Sequence, residues 1–395
     1  MNFADFQRFR ETLLRERAGV LDCAATNLYA ALARLIPPLD HASEVMVHRC
    51  HIAAEWAERF GFPPGTARRA LVSCGVRDSL ALLFRHYAGK DARLWLPADN
   101  YPVYGELART AGLPVREFAT LPKPAWPEAG PIAASELLVV TNPLKPLGRW
   151  LTGNDVAALT AWLAAHSGRR LLLDAVYTFE THFHATTLHL LATGQTILLH
   201  SLTKGWLHPR LFGFALVPES DAADLALVFR AQPPPQSNLA RARELMASHA
   251  GMPATIAREL GVARNRLLSA ISQHPAGLTR MEPSLLIRFV DKIGGHSEAA
   301  SGGSKNPVAS QIRDSSTALH SAQNDPEKTG ETSYAPLALE LPGNRICTEP
   351  IGYFLPVAGR WRDILDDAKV LGLPASVFGS QCKDITILSS LSFLA

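Results

Sequence analysis

The sequence has little of what marks secreted, metal-binding or membrane-spanning proteins. Only five cysteines occur among its 395 residues, and no two of them form a C-x-x-C pair. Their scattered positions are untypical of a disulfide framework or a zinc site and favour a reducing compartment, so we expect a cytoplasmic protein. No apolar run approaches the roughly 20 residues that span a bilayer, and no membrane partner is expected.

An excess of one charge is also absent. The chain carries 39 basic and 36 acidic residues, which gives a formal net charge of +3 and no reason to expect a nucleic-acid partner. Residues 1–19 mix acids with arginines at helical apolar spacing, which predicts an amphipathic helix and not a signal peptide. His182, His184 and His189 lack a set ligand spacing, so we expect no metal site.

Short apolar runs alternate with amphipathic stretches between residues 71 and 218. The predicted strands are 92–97, 136–140, 170–174, 196–200 and 212–217, and the predicted helices between them include 77–86, 104–111 and 155–166. This alternation favours an α/β fold, with a mainly parallel sheet covered on both faces and ligands at the carboxyl ends of its strands. Residues 235–273 are predicted to form long helices. From residue 351 the sequence again predicts alternating strands and helices, and the last predicted strand is 385–393.

Reactive and turn-forming residues follow several predicted strands. Asp174-x-x-Tyr177 ends one strand, and Ser201-x-x-Lys204 follows the next. The turn at residues 73–78 opens a helix, where backbone N–H groups can cradle a phosphate. Pyridoxal phosphate requires such a phosphate site, a lysine that forms an imine, a carboxylate at the pyridine nitrogen and an aromatic neighbour.

The sequence offers a candidate for each of these requirements. Lys204 is the candidate for the Schiff base, Asp174 for the pyridine nitrogen and Tyr177 for the phenolic oxygen. Tyr101 is the candidate that stacks on the ring. The candidate phosphate ligands are Gly75, Val76, Arg77, Ser201 and Arg210.

These motifs, in this order, resemble the class I/II aminotransferase family, fold type I of the pyridoxal-phosphate enzymes. The sequence motif Ser-Leu-Thr-Lys at residues 201–204 is similar to the corresponding motif of the histidinol-phosphate aminotransferase and threonine-phosphate decarboxylase branch. Weaker similarity lies in residues 235–240 and 27–29. The resemblance implies pyridoxal 5'-phosphate as cofactor, a small-molecule amine or amino-acid substrate and a homodimer. It also implies cofactor contacts from Asn142 and Lys145 and substrate contacts from Tyr29 and Ser390.

The resemblance further implies a large domain with a seven-stranded, mostly parallel sheet and a smaller α/β domain. We predict a large cofactor-binding domain at residues 46–280 and a small domain at residues 281–395, to which residues 1–45 contribute. A segment at about 292–335 is rich in Gly, Ser, Asn, Asp and Lys and is predicted to be a flexible insertion, because its composition buries little surface.

Three positions depart from the family pattern. Lys145 stands where the family has its second asparagine, and the sequence leaves open whether its amine contacts the cofactor or points to solvent. Arg210 lies one residue short of the family spacing. Ser390 stands on the last predicted strand where the family has an arginine that binds the substrate carboxylate, and a serine cannot replace a bidentate guanidinium. Arg149, Arg288 and Arg345 are candidates for a replacement anchor.

Three functions are therefore compatible with the sequence. The first is a pyridoxal-phosphate-dependent aminotransferase that acts on an atypical amino acid or amine in small-molecule biosynthesis. The second, motivated by the changes at Lys145 and Ser390, is another reaction of the same cofactor, such as decarboxylation, elimination or cyclisation. The third is a non-catalytic protein that keeps the fold.

Overall fold

A computed structural model describes residues 2–38, 46–99, 102–128, 130, 135–179, 182–273 and 352–394. The chain divides into two units, and all of these residues belong to the one formed by residues 1–286 and 348–395. The predicted insertion at about 292–335 lies outside the described residues.

A seven-stranded sheet forms the centre of the described structure. Its strands are β2 (Ala70–Ser73), β3 (Arg93–Pro97), β4 (Val115–Phe118), β5 (Glu136–Thr141), β6 (Arg169–Asp174), β7 (Thr196–Ser201) and β8 (Gly213–Leu216). Their order across the sheet is β2-β8-β7-β6-β5-β3-β4. Only β8 runs antiparallel to its neighbours, so the predicted mainly parallel α/β sheet is confirmed.

Helices connect the strands and cover the sheet. They are α4 (Val76–Ala88), α5 (Val103–Ala111), α6 (Gly153–Ala164), α7 (Ala185–Ala192), α8 (Leu202–Gly205) and α9 (Ala222–Ala231). Leu80, Leu83 and Phe84 of α4 pack into one apolar cluster with Leu172 of β6 and Leu199 of β7, and all five are fully buried. Burying each such side chain contributes about 1.5–3 kcal/mol relative to leaving it exposed, which explains why these strands are almost continuously apolar.

Other helices precede the first strand of this sheet in the chain or follow its last strand. They are α1 (Phe3–Glu16), α2 (Leu28–Ala31), α3 (Arg49–Arg59), α10 (Gln236–Ser248) and α11 (Met252–Gln273). The amphipathic helix predicted at the N-terminus is therefore present as α1. Among the described residues, no helix combines the length and the apolar character that crossing a membrane requires.

Two smaller sheets accompany the central one, and one of them joins the start of the chain to its end. In one, β1 (Leu21–Asp22) pairs in parallel with β10 (Val370–Leu371). The other is antiparallel and consists of β11 (Leu373–Pro374), β12 (Ile385–Ser389) and β9 (Phe354–Ala358). Helix α12 (Trp361–Ala368) lies between β9 and β10 in the chain.

The predicted last strand, residues 385–393, was wrong in its second half. Strand β12 ends at Ser389, whose side chain accepts the N–H of Leu391 and caps a 3₁₀ helix over Ser390–Phe393. A serine side chain that bonds its own backbone in this way competes with continued strand pairing. Ser390 therefore lies on the first turn of this helix and not on a strand.

Candidate active site

The sheet register brings three reactive segments to one edge. Thr141 at the end of β5 pairs with Asp174 at the end of β6, and Asp174 pairs with Leu199 of β7. Strand β7 ends at Ser201, and Lys204 follows in α8. Because parallel strands end at the same side of the sheet, the segments after β5, β6 and β7 converge there, where open α/β sheets bind ligands.

Lys204 points its amine into a buried environment between two tyrosine rings. Its Nζ lies 4.9 Å from the centre of the Tyr29 ring and 5.5 Å from that of Tyr177. The hydroxyl of Tyr29 donates to the Thr203 carbonyl at 2.9 Å, which holds the ring beside α8. Burial lowers the pKa of Lys204 to about 8, and the negative charge of Asp174 opposes this shift.

Asp174 is the carboxylate of this site. Its side chain accepts the backbone N–H of Val176 at 3.0 Å and the hydroxyl of Tyr104. Burial raises the pKa of Asp174, while the Tyr104 hydrogen bond acts in the opposite direction by favouring the ionised form. The sequence motifs did not predict Tyr104 as a site residue, although it lies three residues after the candidate Tyr101.

Lys145 directs its amine at the Tyr177 ring. Its Nζ lies 2.8 Å from the ring centre, so the structure places this amine inside the site and not in solvent. Burial, and next the nearby Lys204, lower the pKa of Lys145 well below its usual range, while Asp174 opposes the shift. The hydroxyl of Tyr177 is 2.9 Å from that of Tyr353, a second residue that sequence reasoning missed.

The turn before α4 adjoins the lysine-bearing segment. Gly75 has φ +144°, a conformation that glycine adopts most readily, and it immediately precedes Val76 and Arg77 in the first turn of α4. A Cβ added at Gly75 would lie 4.0 Å from the Thr203 hydroxyl. The N–H groups of this first turn have no acceptor within the helix, so they are available to an anion beside α8.

Other candidate ligands have different surroundings. Ser201 is buried, and its hydroxyl accepts the Thr203 N–H at 3.2 Å, which caps α8. Arg210 is exposed and adopts a left-handed backbone conformation with φ +57°. The Asn142 amide is occupied by structural bonds: it donates to Thr186 and Thr187 at 3.0 and 2.8 Å and accepts from Leu151 at 3.1 Å.

The two residues predicted to contact the substrate, Tyr29 and Ser390, have different surroundings. Tyr29 lies in the site, as described above. Ser390 is only 1% exposed, and its backbone N–H donates to the Tyr353 carbonyl at 2.9 Å. Its buried hydroxyl has no hydrogen-bond partner among the described residues. The stacking candidate Tyr101 lies outside those residues.

Of the three candidate replacement anchors, Arg149 belongs to the described residues. The guanidinium of Arg149 is buried and bonded to Asp155 at 2.7 Å, which holds it at the start of α6. Arg288 and Arg345 lie outside the described residues. In the histidine cluster, His184 stacks on Trp150 at a centroid distance of 4.5 Å and caps α7, while His182 and His189 are exposed.

Comparison with known families gives a match over more than half of the chain. The family model described as aminotransferase class I and II matches residues 52–258. The Arabidopsis thaliana protein "Probable aminotransferase TAT3" is 25% identical over 153 residues, which cover 36% of this chain and 34% of that protein. The Arabidopsis thaliana "S-alkyl-thiohydroximate lyase SUR1" is 26% identical over 153 residues, which cover 36% and 33%. Each of these matches therefore spans about a third of the curated relative.

Solved structures match over nearly the whole chain. A crystal structure of an aminotransferase from Mycobacterium tuberculosis has a TM-score of 0.59 at 15% identity, covering 98% of this chain and 91% of that one. The L-threonine-O-3-phosphate decarboxylase from Porphyromonas gingivalis has a TM-score of 0.53 at 12% identity, covering 95% and 97%. At these identities the likeness concerns the fold, which agrees with the predicted fold type.

Proposed function

Because the chain belongs to the aminotransferase class I and II family, we propose that it is a pyridoxal-phosphate-dependent aminotransferase acting on an atypical amino acid or amine. Pyridoxal 5'-phosphate is the cofactor of this family. The observation that carries the proposal is the convergence of Lys204, Asp174 and Tyr177 at the carboxyl ends of β6 and β7, with the Lys204 amine buried between Tyr29 and Tyr177.

The donor set fits this cofactor. When bound, pyridoxal phosphate supplies the conjugated ring that accepts the electrons of a broken Cα bond. Lys204 is the amine that would hold it covalently and would take and return the Cα proton. A pKa near 8 suits this second task, because an appreciable fraction of the amine is neutral near neutral pH.

The other residues hold and orient the ring. Asp174, when ionised, would keep a proton on the pyridine nitrogen, and its bond from Tyr104 favours the ionised form. Tyr177, Asn142 and Lys145 are proposed for the phenolic-oxygen side, although the Asn142 amide already has its structural bonds. The proposed phosphate ligands are the first turn of α4 at Gly75, Val76 and Arg77, with Ser201, Arg210 and, on the ring face, Tyr101.

The substrate is proposed to be atypical because Ser390 replaces the expected arginine. The Ser390 side chain is buried and uncharged, and it offers one hydroxyl where a guanidinium would offer two parallel donors. An α-carboxylate bound at this residue would lose a charge-assisted bidentate pair. We therefore assign substrate contacts to Tyr29 and Ser390 and expect a substrate that does not depend on that pair.

We also propose a cytoplasmic homodimer that serves small-molecule biosynthesis, on the strength of the family resemblance. The proposed domains are residues 46–280 and residues 281–395 with 1–45. The pairing of Leu21–Asp22 with Val370–Leu371, and the bond from the Ser389 N–H to the Cys23 carbonyl at 2.7 Å, support joining the N-terminal segment to the C-terminal part. Light scattering of the purified protein tests the dimer, and a monomeric mass would contradict it.

A single-turnover experiment tests the proposed reaction. Purified protein loaded with pyridoxal phosphate is mixed with a panel of amino donors, and the absorbance change to the pyridoxamine form is followed. We expect conversion with at least one donor, loss of conversion in Lys204→Ala, and normal conversion in Lys90→Ala, which changes an exposed lysine paired with Asp224. The proposal would be contradicted by a protein that takes up no cofactor. It would also be contradicted by conversion that is unchanged in Lys204→Ala.

A lyase or decarboxylase reaction is the second candidate function. It is favoured by the presence of Lys145 instead of asparagine and by the lyase among the matching relatives. The same experiment separates the two candidates. Release of ammonia or CO2 without the pyridoxamine form would replace the aminotransferase proposal by this one.

A further inference from the structure

Two lysine amines face the same tyrosine ring in this site. The Nζ of Lys145 lies 2.8 Å from the centre of the Tyr177 ring and that of Lys204 lies 5.5 Å from it. They come from different segments, one after β5 and the other in α8. The lining of the small pocket beside Lys145 includes Leu144, Tyr177, Tyr353 and Phe354, so aliphatic and aromatic side chains adjoin this lysine.

The charges of this cluster are not balanced if both amines are protonated. Among the described residues, Asp174 is the carboxylate that acts on both Lys145 and Lys204, and the neighbouring Tyr177 and Tyr353 are phenols. One buried carboxylate compensates one ammonium, and a second ammonium would remain uncompensated at a cost of several kcal/mol. Burial lowers the pKa of both amines, and the positive charge of Lys204 acts in the same direction on Lys145, which increases the neutral, nucleophilic fraction of the Lys145 amine.

We propose that Lys145 is a second carbonyl-reactive amine of this site, able to form an imine with the same class of aldehyde as Lys204. The Nζ lone pair attacks the aldehyde carbon, the two N–H hydrogens leave with the carbonyl oxygen as one water, and a C=N bond forms. The asparagine of the family pattern cannot do this, because its amide lone pair is delocalised into the carbonyl. The identity of the aldehyde, pyridoxal phosphate, rests on the proposed function.

Reductive trapping tests this proposal. Apoprotein is incubated with pyridoxal phosphate at pH 7 and reduced with borohydride, and the modified lysines are located by peptide mass mapping. In the Lys204→Ala variant we expect an adduct on Lys145 at near-stoichiometric level. It should exceed the adduct on the exposed Lys90 at least tenfold and disappear in Lys204→Ala/Lys145→Asn. Equal labelling of Lys145 and Lys90 would overturn the proposal.

A second measurement uses the wild-type chain, so it does not depend on a variant that folds. Wild-type apoprotein is treated with limiting butyraldehyde and cyanoborohydride at pH 7. We expect Lys145 to be alkylated before Lys90, because burial lowers the pKa of Lys145 and so increases the neutral fraction of its amine. The reverse order would overturn the proposal. Failure of the proposed function is distinguishable, because it would be seen as a wild-type protein with no pyridoxal-phosphate adduct on Lys204.

Discussion

At the scale of single residues, the hydroxyl of Tyr104 sets the environment of Asp174. It is the side-chain donor to a buried carboxylate that otherwise accepts only the Val176 N–H among its described hydrogen bonds. A hydrogen bond to a charged group contributes about 1.5–3 kcal/mol. We expect Tyr104→Phe to weaken pyridoxal-phosphate binding by about 10- to 100-fold, measured by titrating apoprotein and following the cofactor absorbance.

The matched control is Tyr87→Phe. Tyr87 is also a buried phenol in an adjacent helix, but its hydroxyl donates to Asp221, near the start of α9. This control should lose stability while its cofactor affinity stays unchanged. Equal cofactor affinities of the wild type and Tyr104→Phe would contradict the role given to Tyr104.

Residue spacing along the chain predicted part of the candidate site. Asp174-x-x-Tyr177 and Ser201-x-x-Lys204 are local patterns, and the parallel sheet brings their members together as expected. Tyr104 and Tyr353 form no such pattern, because they meet Asp174 and Tyr177 across 70 and 176 residues of chain. The orientation of Lys145 was likewise undecided, since it depends on how the turn after β5 folds.

At the scale of elements, Gly213 sets the distance between β8 and the turn before α4. A Cβ at this position would overlap the Cα and backbone C and N of Gly75, which are backbone atoms that cannot rotate away. We expect Gly213→Ala to displace the first turn of α4. The prediction is at least a tenfold loss of affinity for inorganic phosphate and pyridoxal phosphate, measured by calorimetric titration of apoprotein.

Gly261→Ala is the control for this substitution. Gly261 lies inside α11, where an added Cβ would meet only the end of the Arg264 side chain at 4.0 Å. It should stabilise the protein by about 0.5–1 kcal/mol, because alanine favours a helix interior over glycine, and leave ligand affinity as it is. If Gly213→Ala behaved in the same way, the contact between β8 and Gly75 would not matter for binding.

The amino ends of β5 and β6 are joined by a buried ion pair. Arg169, 1% exposed, donates to Glu136 at 3.2 Å and to the Trp162 carbonyl at 2.8 Å. Removing one member leaves an uncompensated buried charge, so we expect Arg169→Met to lower the free energy of unfolding by about 3–5 kcal/mol. Arg169→Met/Glu136→Leu should recover most of this loss in urea titrations. A double variant no more stable than the single one would contradict this explanation.

Elements with strong apolar runs were predictable from sequence, and elements fixed by partners were not. Strands β5 and β7 are buried along their full length and β6 at every position except Arg170, and all three were predicted from their apolar runs. Strand β4 was missed because three of its four residues are exposed, so no apolar run marks it. The end of β12 was missed because the Ser389 side-chain cap, and not hydrophobicity, ends that strand.

At the scale of the whole molecule, a buried histidine links stability to pH. His200 is 1% exposed within a cluster of aromatic rings from separate parts of the chain, which are Trp56, Phe60, Phe183 and Phe214. Its Nδ1 accepts the indole N–H of Trp56 at 3.2 Å, an arrangement that requires the neutral ring. Burial lowers the pKa of His200 to about 3, against 6.5 for a free histidine.

The direction of the pH effect follows from proton uptake. As the pH falls below 6.5, His200 of the unfolded chain binds a proton while that of the folded protein does not, so unfolding is favoured. The free energy of unfolding should fall by about 1.4 kcal/mol per pH unit for this one group until the pH approaches 3. His86 and His208 also have lowered pKa values and add to the slope, whereas Asp155 and Asp221, whose pKa values are lowered too, act only in more acidic solution. Urea titrations between pH 7.5 and 4.5 measure how the free energy of unfolding changes with pH. Because glutamine does not titrate, His200→Gln should lower the number of protons taken up on unfolding by nearly one. Parallel slopes for the wild type and His200→Gln would show that the acid sensitivity of the fold originates elsewhere.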